Sequence, residues 1–331
     1  MNLEGKRVII SRTDSIGDVM LSLPMCAWLK EQFPAVEIVF LGRGYTRAIV
    51  ESYEKVDKFI NWDDLLNAPK TERAQAFRAM DADVIIHVFP NKEIAALAKK
   101  VRIPLRIGTS HRAYHLLTCT HRLNFTRKRS DFHEAQLNFE LLRPFGVKEL
   151  PSLESIIEYT SFLKVPEATL PPAFTKLKNY TILHPKSQGS AKEWPLEKYM
   201  ELAKILSDKG KTVVFTGTED EGAQFRAQIP TDKNMVDSTG QLTLEQLMVL
   251  ISQATNLVAC STGPLHIAGY YGVNTIGLFS PKRPIHPGRW KALGTKVSTL
   301  VFDEKCPACL QKKECSCIKD ITVDAVLEKI K

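Results

Sequence analysis

The chain has 331 residues, of which 44% are hydrophobic and 25% are charged, and this balance excludes a mainly disordered or fibrous protein. Its formal net charge of +8 favours an anionic partner such as a nucleotide, an anionic lipid or a phosphorylated glycan. No apolar run reaches the roughly 18 residues of a membrane-spanning helix, and no signal peptide precedes the first predicted strand, so we expect a cytoplasmic protein.

Short apolar segments alternate with amphipathic segments along the whole chain. Predicted strands occur at Arg7–Ile10, Val36–Leu41, Lys58–Asn61, Asp83–Val88, Tyr180–Leu183, Thr212–Thr216, Asn256–Ala259 and Asn274–Phe279. Helical patterns lie between them, at Asp18–Gln32, Glu93–Lys100, Leu196–Lys209 and Thr243–Gln253. Several strands are apolar on consecutive residues, as in parallel sheets buried on both faces, so the alternation predicts an α/β protein with parallel sheets.

A proline-rich segment, 151–172, divides the chain into two halves of domain size. We therefore expect an N-terminal domain at 1–160, a C-terminal domain at 175–320 and a terminal helix at 321–331, with Thr322 as a candidate N-cap. Open parallel sheets bind ligands at the carboxyl ends of their strands. Two doubly wound domains in tandem therefore predict a ligand site in a central cleft that their loops face.

The first candidate motif, Ser15-Ile16-Gly17-Asp18, follows the first predicted strand. Gly17 permits a tight turn, and Asp18 falls near the start of the next helix. The carboxylate either caps that helix, which the local pattern favours, or acts as a general base. The loop has neither the dinucleotide-binding GxGxxG pattern nor a P-loop.

The second candidate motif follows the first strand of the C-terminal half and carries small hydroxyl residues, a glycine and lysines. Its members are Ser187, Gly189, Ser190 and Lys192. Backbone N–H groups and hydroxyls at a strand-to-helix junction can donate to phosphate oxygens, while a lysine supplies charge. The alternative is a solvated basic loop in which Pro195 starts the next helix.

Two further loops in the C-terminal half follow predicted strands. In Gly217–Glu221, an acid either receives the hydroxyls of a ribose or favours the start of the next helix. The other loop, which starts a helix whose N–H groups suit a diphosphate, contains Ser261, Thr262, Gly263, Pro264 and His266. A lone helical histidine such as His266 is more often structural than catalytic.

In this order, the motifs resemble those of glycosyltransferase family 9, the ADP-heptose:lipopolysaccharide heptosyltransferases. The shared segments are Ser15–Asp18, Ser190-x-Lys192-x-Trp194-Pro195, the acidic loop after Gly217, Ser238–Leu244, and Thr262–Ala268 running on to Pro281. The resemblance covers nearly the whole chain. It implies a GT-B fold, with two Rossmann-like domains facing a central cleft, and an inverting transfer of heptose from a nucleotide diphosphate, ADP-heptose, to the lipopolysaccharide core.

The resemblance also implies roles for individual residues. Asp18 matches the catalytic base, and Lys192, with Ser187 and Ser190, matches the loop that binds the diphosphate and stabilises its charge. Glu221, or Asp220, matches the acid that holds the ribose. The residues that match the motif for diphosphate and donor sugar are Thr262, Gly263 and His266, with Ser261 and Pro264 beside them. The family usually has an aspartate at the position of Ser261, which leaves the donor sugar open. We expect no required cofactor, and Mg²⁺ is not expected.

The acceptor is expected to contact the N-terminal domain. The segment Ile94–Ser130 contains nine Lys and Arg residues and no acid. Such a run is usually a solvated surface, but we favour contact with an anionic, lipid-linked glycan acceptor at the cytoplasmic face of the inner membrane. Arg112 and Arg122 are the preferred contacts. Nucleic acid is not expected, because the run has few interleaved aromatic residues.

Four of the seven cysteines lie between Cys306 and Cys317. The gap between Cys306 and Cys309 suits zinc, whereas one residue between Cys315 and Cys317 does not form a standard zinc knuckle. We favour thiols without a metal and keep zinc as the alternative. For the whole chain, the alternatives to a transferase are a GT-B-fold sugar-nucleotide epimerase or hydrolase and a non-catalytic nucleotide-binding protein.

Overall fold

The computed structural model describes residues 1–127, 130–189, 191–311 and 313–331 of the chain. Two compact units divide the chain, Met1–Lys164 and Val165–Lys331. The division falls within the expected linker between 160 and 175. Within the described residues, each unit contains a six-stranded parallel sheet, so the predicted two-domain α/β fold is confirmed.

The sheet of the N-terminal unit has the strand order β3-β2-β1-β4-β5-β6. Its strands are β1 (Arg7–Ser11), β2 (Glu37–Gly42), β3 (Lys58–Asn61), β4 (Val84–His87), β5 (Leu105–Thr109) and β6 (His121–Leu123). The order is that of a Rossmann sheet. All strands are parallel, but the order in which they are added to the sheet reverses between β1 and β4. Ligands of such sheets bind at this reversal, beyond the carboxyl ends of the strands.

Helices cover both faces of this sheet. They are α1 (Ile16–Met20), α2 (Leu23–Gln32), α3 (Arg47–Glu51), α4 (Trp62–Asn67), α5 (Lys70–Ala79), α6 (Lys92–Lys100), α7 (His115–Thr118), α8 (Glu134–Phe139) and α9 (Leu153–Glu158), with 3₁₀ helices at Gly44–Thr46, Glu140–Phe145 and Tyr159–Phe162. The prediction of one helix over 18–32 is wrong. Pro24 stands in the first turn of α2, where its missing N–H is tolerated, and it cannot continue α1.

The sheet of the C-terminal unit repeats the same topology, with the order β12-β11-β10-β7-β8-β9. Its strands are β7 (Tyr180–His184), β8 (Thr212–Phe215), β9 (Met235–Asp237), β10 (Asn256–Cys260), β11 (Asn274–Leu278) and β12 (Val297–Leu300). The order in which strands are added reverses between β7 and β10. The loops that follow these two strands contain the second and fourth candidate motifs.

The helices of the C-terminal unit include the predicted terminal helix. They are α10 (Leu196–Asp208), α11 (Glu219–Phe225), α12 (Leu244–Ser252), α13 (Gly263–Tyr270), α14 (Pro287–Trp290), α15 (Pro307–Leu310), α16 (Cys317–Asp320) and α17 (Val323–Leu327), with a 3₁₀ helix at Arg226–Gln228. Thr322 caps α17 as predicted, because its side chain accepts from the Ala325 N–H. Val326 of α17 lies in the same buried cluster as Leu202 of α10. Of the residues described, none belongs to a helix long and apolar enough to cross a bilayer.

Candidate functional site

Arg12 organises the turn between β1 and α1. Its side chain is 3% exposed, and its guanidinium forms ion pairs with Asp14 (Nε to Oδ1, 2.7 Å), with Asp18, and with Glu134 of α8 (Nη1 to Oε1, 3.5 Å). Ser15, not Asp18, occupies the N-cap position of α1, so the interpretation of Asp18 as the cap is wrong. The Asp18 carboxylate instead belongs to a charged cluster that was not predicted from the sequence.

Burial and the neighbouring charges shift the pKa values of Asp14 and Arg12 in this cluster. Burial raises the pKa of Asp14 to about 7, and the charge of Asp18 adds to the rise, although Arg12 opposes it. Although burial disfavours the charged guanidinium, the three carboxylates raise the pKa of Arg12. Asp14 therefore gains a proton near neutral pH, and Arg12 remains charged beside Asp18.

Glu134 links this turn to the basic segment. Its carboxylate, 2% exposed, also pairs with Arg127, whose Nη1 lies 2.9 Å from Asn138 Oδ1. Asn138 in turn donates to the Leu21 carbonyl at 2.8 Å. Arg127 thus stabilises a buried acid within the unit, which removes one of the nine basic residues from any role at the surface.

Two histidines lie at the same reversal of strand order. His87 ends β4, beside Ser11 of β1, and its ring centroid lies 5.6 Å from that of His115. Burial, with smaller effects of the His115 and Arg106 charges, lowers the pKa of His87 to about 3. Both ring nitrogens of His87 lack a hydrogen-bond partner among the described residues. A histidine at the end of an apolar strand was the signal for this neutral polar group, and it was missed.

The basic segment does not form one surface. Lys99 and Lys100 end α6 and Arg102 follows it, all at the amino edge of the sheet, while Arg112 follows β5 at the carboxyl edge. Arg122 is exposed on β6, with its Nη1 3.3 Å from the Cys119 carbonyl. Lys128 and Arg129 lie outside the described residues.

Exposed leucines accompany Arg112 in the segment between β5 and β6. Leu116 is 59% exposed and Leu117 is 74% exposed, both on α7. Arginines beside exposed leucines are a combination that suits the boundary of an anionic membrane.

The loop after β7 is organised by Glu193. The N–H and the hydroxyl of Ser187 both donate to Glu193 Oε1 at 3.0 Å, and Lys186 Nζ lies 2.6 Å from Oε2. Although burial raises the Glu193 pKa, these hydrogen bonds bring it below its ordinary value. The hydroxyl of Ser187, a predicted donor ligand, is therefore directed at Glu193.

Three residues of this loop, Gln188, Gly189 and Lys192, are exposed. Gly189 has φ +80° and Gln188 has φ +49°, so the backbone turns through the left-handed region. Lys192 is exposed, and no described acid forms an ion pair with it. Ser190, also predicted to bind the donor, lies outside the described residues.

A cavity of about 400 Å³ joins the loop after β7 to the loop after β8. Its lining residues are predominantly polar and include Lys186, Gly189, Glu193, Asp220 and Glu221. The second and third candidate motifs therefore share one cavity within the C-terminal unit. Its volume lies in the range of small-molecule sites.

The two candidate ribose ligands differ in their contacts. Glu221 is 5% exposed, and its Oε2 accepts from the Thr218 N–H at 2.8 Å, while the Thr218 hydroxyl accepts from the Glu221 N–H. This capping box gives Glu221 the helix-starting role that was one of the alternatives. Asp220 is exposed at the cavity, and no hydrogen bond to its carboxylate occurs within the described residues.

The fourth motif begins α13 at the reversal of strand order. Thr262 occupies the N-cap position, but its side chain makes no capping hydrogen bond, and its buried Oγ1 lacks a partner among the described residues. Gly263 and Pro264 are the first helical residues, and His266 is 2% exposed. Ser261 is half-buried beside them. A buried hydroxyl without a partner at a helix N-terminus fits the binding of a polar ligand.

A backbone contact brings the second and fourth motifs together. The Trp194 N–H donates to the Cys260 Sγ at 3.4 Å, which links the loop after β7 to the end of β10. The Trp194 indole is 1% exposed and donates to the Ile321 carbonyl at 3.0 Å. Trp194 therefore has a structural role that explains its place in the motif.

The segment 238–244 supports the wall of the cavity. A Cβ at Gly222 of α11 would lie 2.1 Å from the Thr239 Oγ1, so this helix approaches the segment as closely as glycine allows. Gly240, with φ +72°, turns the backbone beside Glu219. This motif therefore packs against α11 and helps to position it.

Comparisons with known proteins agree with this arrangement. A putative glycosyltransferase of Haemophilus influenzae is 26% identical over 343 aligned residues, covering 98% of this chain and 96% of that protein. The lipopolysaccharide core heptosyltransferase OpsX of the same species is 22% identical, covering 90% and 85%. The structure of the E. coli ADP-heptose LPS heptosyltransferase II has a TM-score of 0.74 at 20% identity, covering 98% and 97%, and shares the fold.

The match to a family model assigns the chain to a family, which the pairwise similarities alone do not do. The model described as glycosyltransferase family 9 (heptosyltransferase) matches residues 71–319, about three quarters of the chain. This match confirms the resemblance predicted from the motifs, and it disfavours an epimerase, a hydrolase or a non-catalytic binding protein. The chain belongs to glycosyltransferase family 9, the heptosyltransferase family.

Proposed function

We propose that this glycosyltransferase transfers a heptose from ADP-heptose to the inner core of lipopolysaccharide. The observation that carries the proposal lies at the carboxyl ends of the C-terminal strands, where the polar cavity and a Thr262 hydroxyl without a partner among the described residues lie on loops that match the family. The donor and the acceptor are those of the heptosyltransferases to which the chain is similar, and the site chemistry is compatible with both.

The donor binds the C-terminal unit in this proposal. Glu221, or Asp220, receives the ribose hydroxyls, because both line the cavity and the capping bond occupies only the Oε2 of Glu221. The N–H groups of Gly263 and Leu265 in the first turn of α13, with the Thr262 hydroxyl, bind the diphosphate. Lys192, exposed on its loop, supplies positive charge. Ser261 replaces the family's usual aspartate, so contact with the sugar there is a neutral hydrogen bond.

Asp18 acts as the general base in this proposal. The acceptor hydroxyl oxygen forms a bond to the anomeric carbon as the bond from that carbon to the diphosphate oxygen breaks. The hydroxyl proton passes to the Asp18 carboxylate, and attack from the face opposite the leaving group inverts the configuration. Arg12 orients the carboxylate through its ion pair. Lys192 and the α13 N–H groups stabilise the charge that develops on the leaving diphosphate, with no metal required.

The acceptor contacts the N-terminal unit at the cytoplasmic face of the inner membrane in this proposal. Arg112 and Arg122, both exposed, provide positive charge for an anionic glycolipid, and Leu116 and Leu117 provide apolar contact with the membrane. Peripheral attachment of this kind needs both signals, because either alone gives weak binding.

A donor screen tests the proposed function. ADP-, GDP- and UDP-sugars are compared for thermal stabilisation of the purified chain, and the stabilising donors are then incubated with core glycolipid. We expect ADP-heptose to stabilise most strongly and to give a heptosylated glycolipid. Selective stabilisation by UDP- or GDP-sugars, or release of free sugar without transfer, would contradict the proposal.

A further inference from the structure

Four cysteine side chains converge at the end of the C-terminal unit. The Sγ atoms of Cys306, Cys309, Cys315 and Cys317 all lie within 4.8 Å of one another. The distance between the Sγ atoms is 3.3 Å for Cys306 and Cys315 and 3.0 Å for Cys315 and Cys317. Three of the four side chains are buried and Cys315 is half-buried. A tetrahedral zinc ion with Zn–S bonds of about 2.3 Å separates its sulfurs by about 3.8 Å, so the four thiols surround the volume of a single ion.

We propose that these four cysteines bind one structural zinc ion. Four thiolates in a tetrahedral arrangement select zinc or iron over the hard cations. Polynuclear iron–sulfur clusters place inorganic sulfide between the irons and need more widely separated cysteines than this set provides. The close approach of the four sulfurs changes the preference from thiols without a metal to the zinc alternative, despite the unusual spacing of Cys315 and Cys317.

The surrounding chain needs such a link. Helices α15 and α16 have four residues each, and the buried cluster between them consists of the cysteines with Ala308 packed against it. Isolated helices of this length are unstable in water, and this cluster contains no large apolar side chain. Among the described residues all seven cysteines are free thiols, so disulfides do not hold the segment. Ile318 anchors α16 in the main buried cluster, and a metal ion would add a link to α15, as in small zinc-dependent modules.

The cysteine site is also linked to two loops at the carboxyl ends of the C-terminal strands. Cys309 Sγ lies 3.4 Å from the hydroxyl of Ser280, which follows β11. On the other side, α16 leads to Ile321, whose carbonyl accepts from the Trp194 indole at 3.0 Å and from Lys198 Nζ at 2.8 Å. Zinc therefore positions the loop that contains Lys192, a role that rests on the proposed donor site.

Metal analysis of the purified full-length chain, prepared without a histidine tag, tests the site. We expect about one zinc per chain, lost in Cys309→Ser and retained in Cys119→Ser, a control that removes a buried thiol outside the cluster. The wild-type measurement decides the question even if Cys309→Ser fails to fold. A folded wild-type chain with no metal, with stoichiometric iron, or with disulfides among these cysteines would overturn the zinc assignment.

Calorimetric titration with ADP tests the positioning role separately. We expect the Kd for ADP to rise by about tenfold in folded Cys309→Ser, equivalent to the loss of one good hydrogen bond, and to stay unchanged in Cys119→Ser. Equal ADP affinity in zinc-free and zinc-bound protein would overturn that role but leave the site. Zinc at one per chain without heptose transfer would reject the proposed function alone, so the two failures are distinguishable.

Discussion

Arg12 and its carboxylates show how one buried cation controls several acids. A guanidinium that is 3% exposed must be paired, and Asp14, Asp18 and Glu134 provide that pairing. The arrangement keeps Asp18 in a fixed position at the carboxyl end of β1. Asp14, whose pKa is raised to about 7, is a second carboxyl group in this cluster that can accept a proton.

Replacement of Asp18 by asparagine separates catalysis from donor binding. Because Asn cannot accept the proton, we expect kcat to fall by about 10²- to 10⁴-fold, while the Kd for ADP-heptose changes little. Steady-state kinetics and calorimetry measure the two effects. Asp14→Asn is the matched comparison, and we expect it to retain more activity. Near wild-type turnover in Asp18→Asn, or a larger loss in Asp14→Asn, would remove Asp18 from the role of base.

His87 should make stability depend on pH. Its pKa is lowered to about 3 in the folded chain and is near 6.5 when unfolded, so between these values the unfolded chain binds more protons. Stability from neutral His87 is therefore present at pH 7 and is lost as the pH falls below about 6.5. We expect this residue to cost about 2 kcal/mol of unfolding free energy between pH 7 and pH 5.

Urea unfolding of His87→Gln at several pH values measures that contribution. The free-energy difference between wild type and variant should shrink by about 2 kcal/mol from pH 7 to pH 5, because glutamine does not titrate. His111→Gln, at an exposed position, is the control and should leave the pH dependence unchanged. A constant difference between wild type and His87→Gln would show that His87 does not remain neutral in the folded chain.

Helix starts are the elements that place the site. In each unit, the strand at the centre of the sheet is followed by a loop and a helix, and the candidate residues lie where that loop ends. The capping box of α11 shows that a side chain at such a start has a structural task before any ligand binds. The Thr262 hydroxyl at the start of α13 has no such task within the part of the chain that the structure describes.

The capping box of α11 predicts a specific stability effect. Thr218→Ala removes the hydroxyl that accepts from the Glu221 N–H, and we expect a loss of about 1 kcal/mol of unfolding free energy. Thr218→Ser keeps the hydroxyl and should stay close to wild type. Chemical denaturation measures both variants. An equal loss in the serine variant would show that the methyl group, not the cap, stabilises α11.

At the scale of the whole molecule, the excess of positive charge is distributed unevenly. Topology separates Lys99 and Lys100, at the amino edge of the N-terminal sheet, from Arg112, at the carboxyl edge near Leu116 and Leu117. Only the carboxyl edge adjoins the proposed acceptor site. Charge count alone does not distinguish these two edges, but the fold does.

Vesicle binding tests which edge contacts the membrane. We expect binding to acidic vesicles that falls as salt rises from low to physiological ionic strength, because screening weakens exposed charges. Arg112→Ser with Arg122→Ser should weaken binding about 30-fold, since each of the two charges near the surface is worth about 1 kcal/mol. Lys99→Ser with Lys100→Ser removes the same charge and should have a smaller effect. Equal losses, or binding that ignores salt, would contradict the assignment.

The central strands and the candidate loops could be predicted from the sequence by itself. Strands such as β1 and β10 are buried on both faces, so they are apolar on consecutive residues, and a motif follows each of them. By contrast, β6 and β9 have three residues each and β12 is only half-buried. These three strands lie at sheet edges, where a strand buries less surface, and their weak apolar patterns were not recognised. β3 also lies at an edge, but it was predicted because it contains the apolar pair Phe59-Ile60.

Only the tertiary structure decided how the side chains at these loops are paired. Arg12 meets Glu134 from a distant helix, the Ser187 hydroxyl turns to Glu193, and four cysteine sulfurs converge within 4.8 Å. Local sequence determines which segments become buried strands, because burial on both faces demands apolar side chains. Desolvation and pairing of polar groups depend instead on residues brought together by packing, and these set the charge and the availability of each candidate side chain.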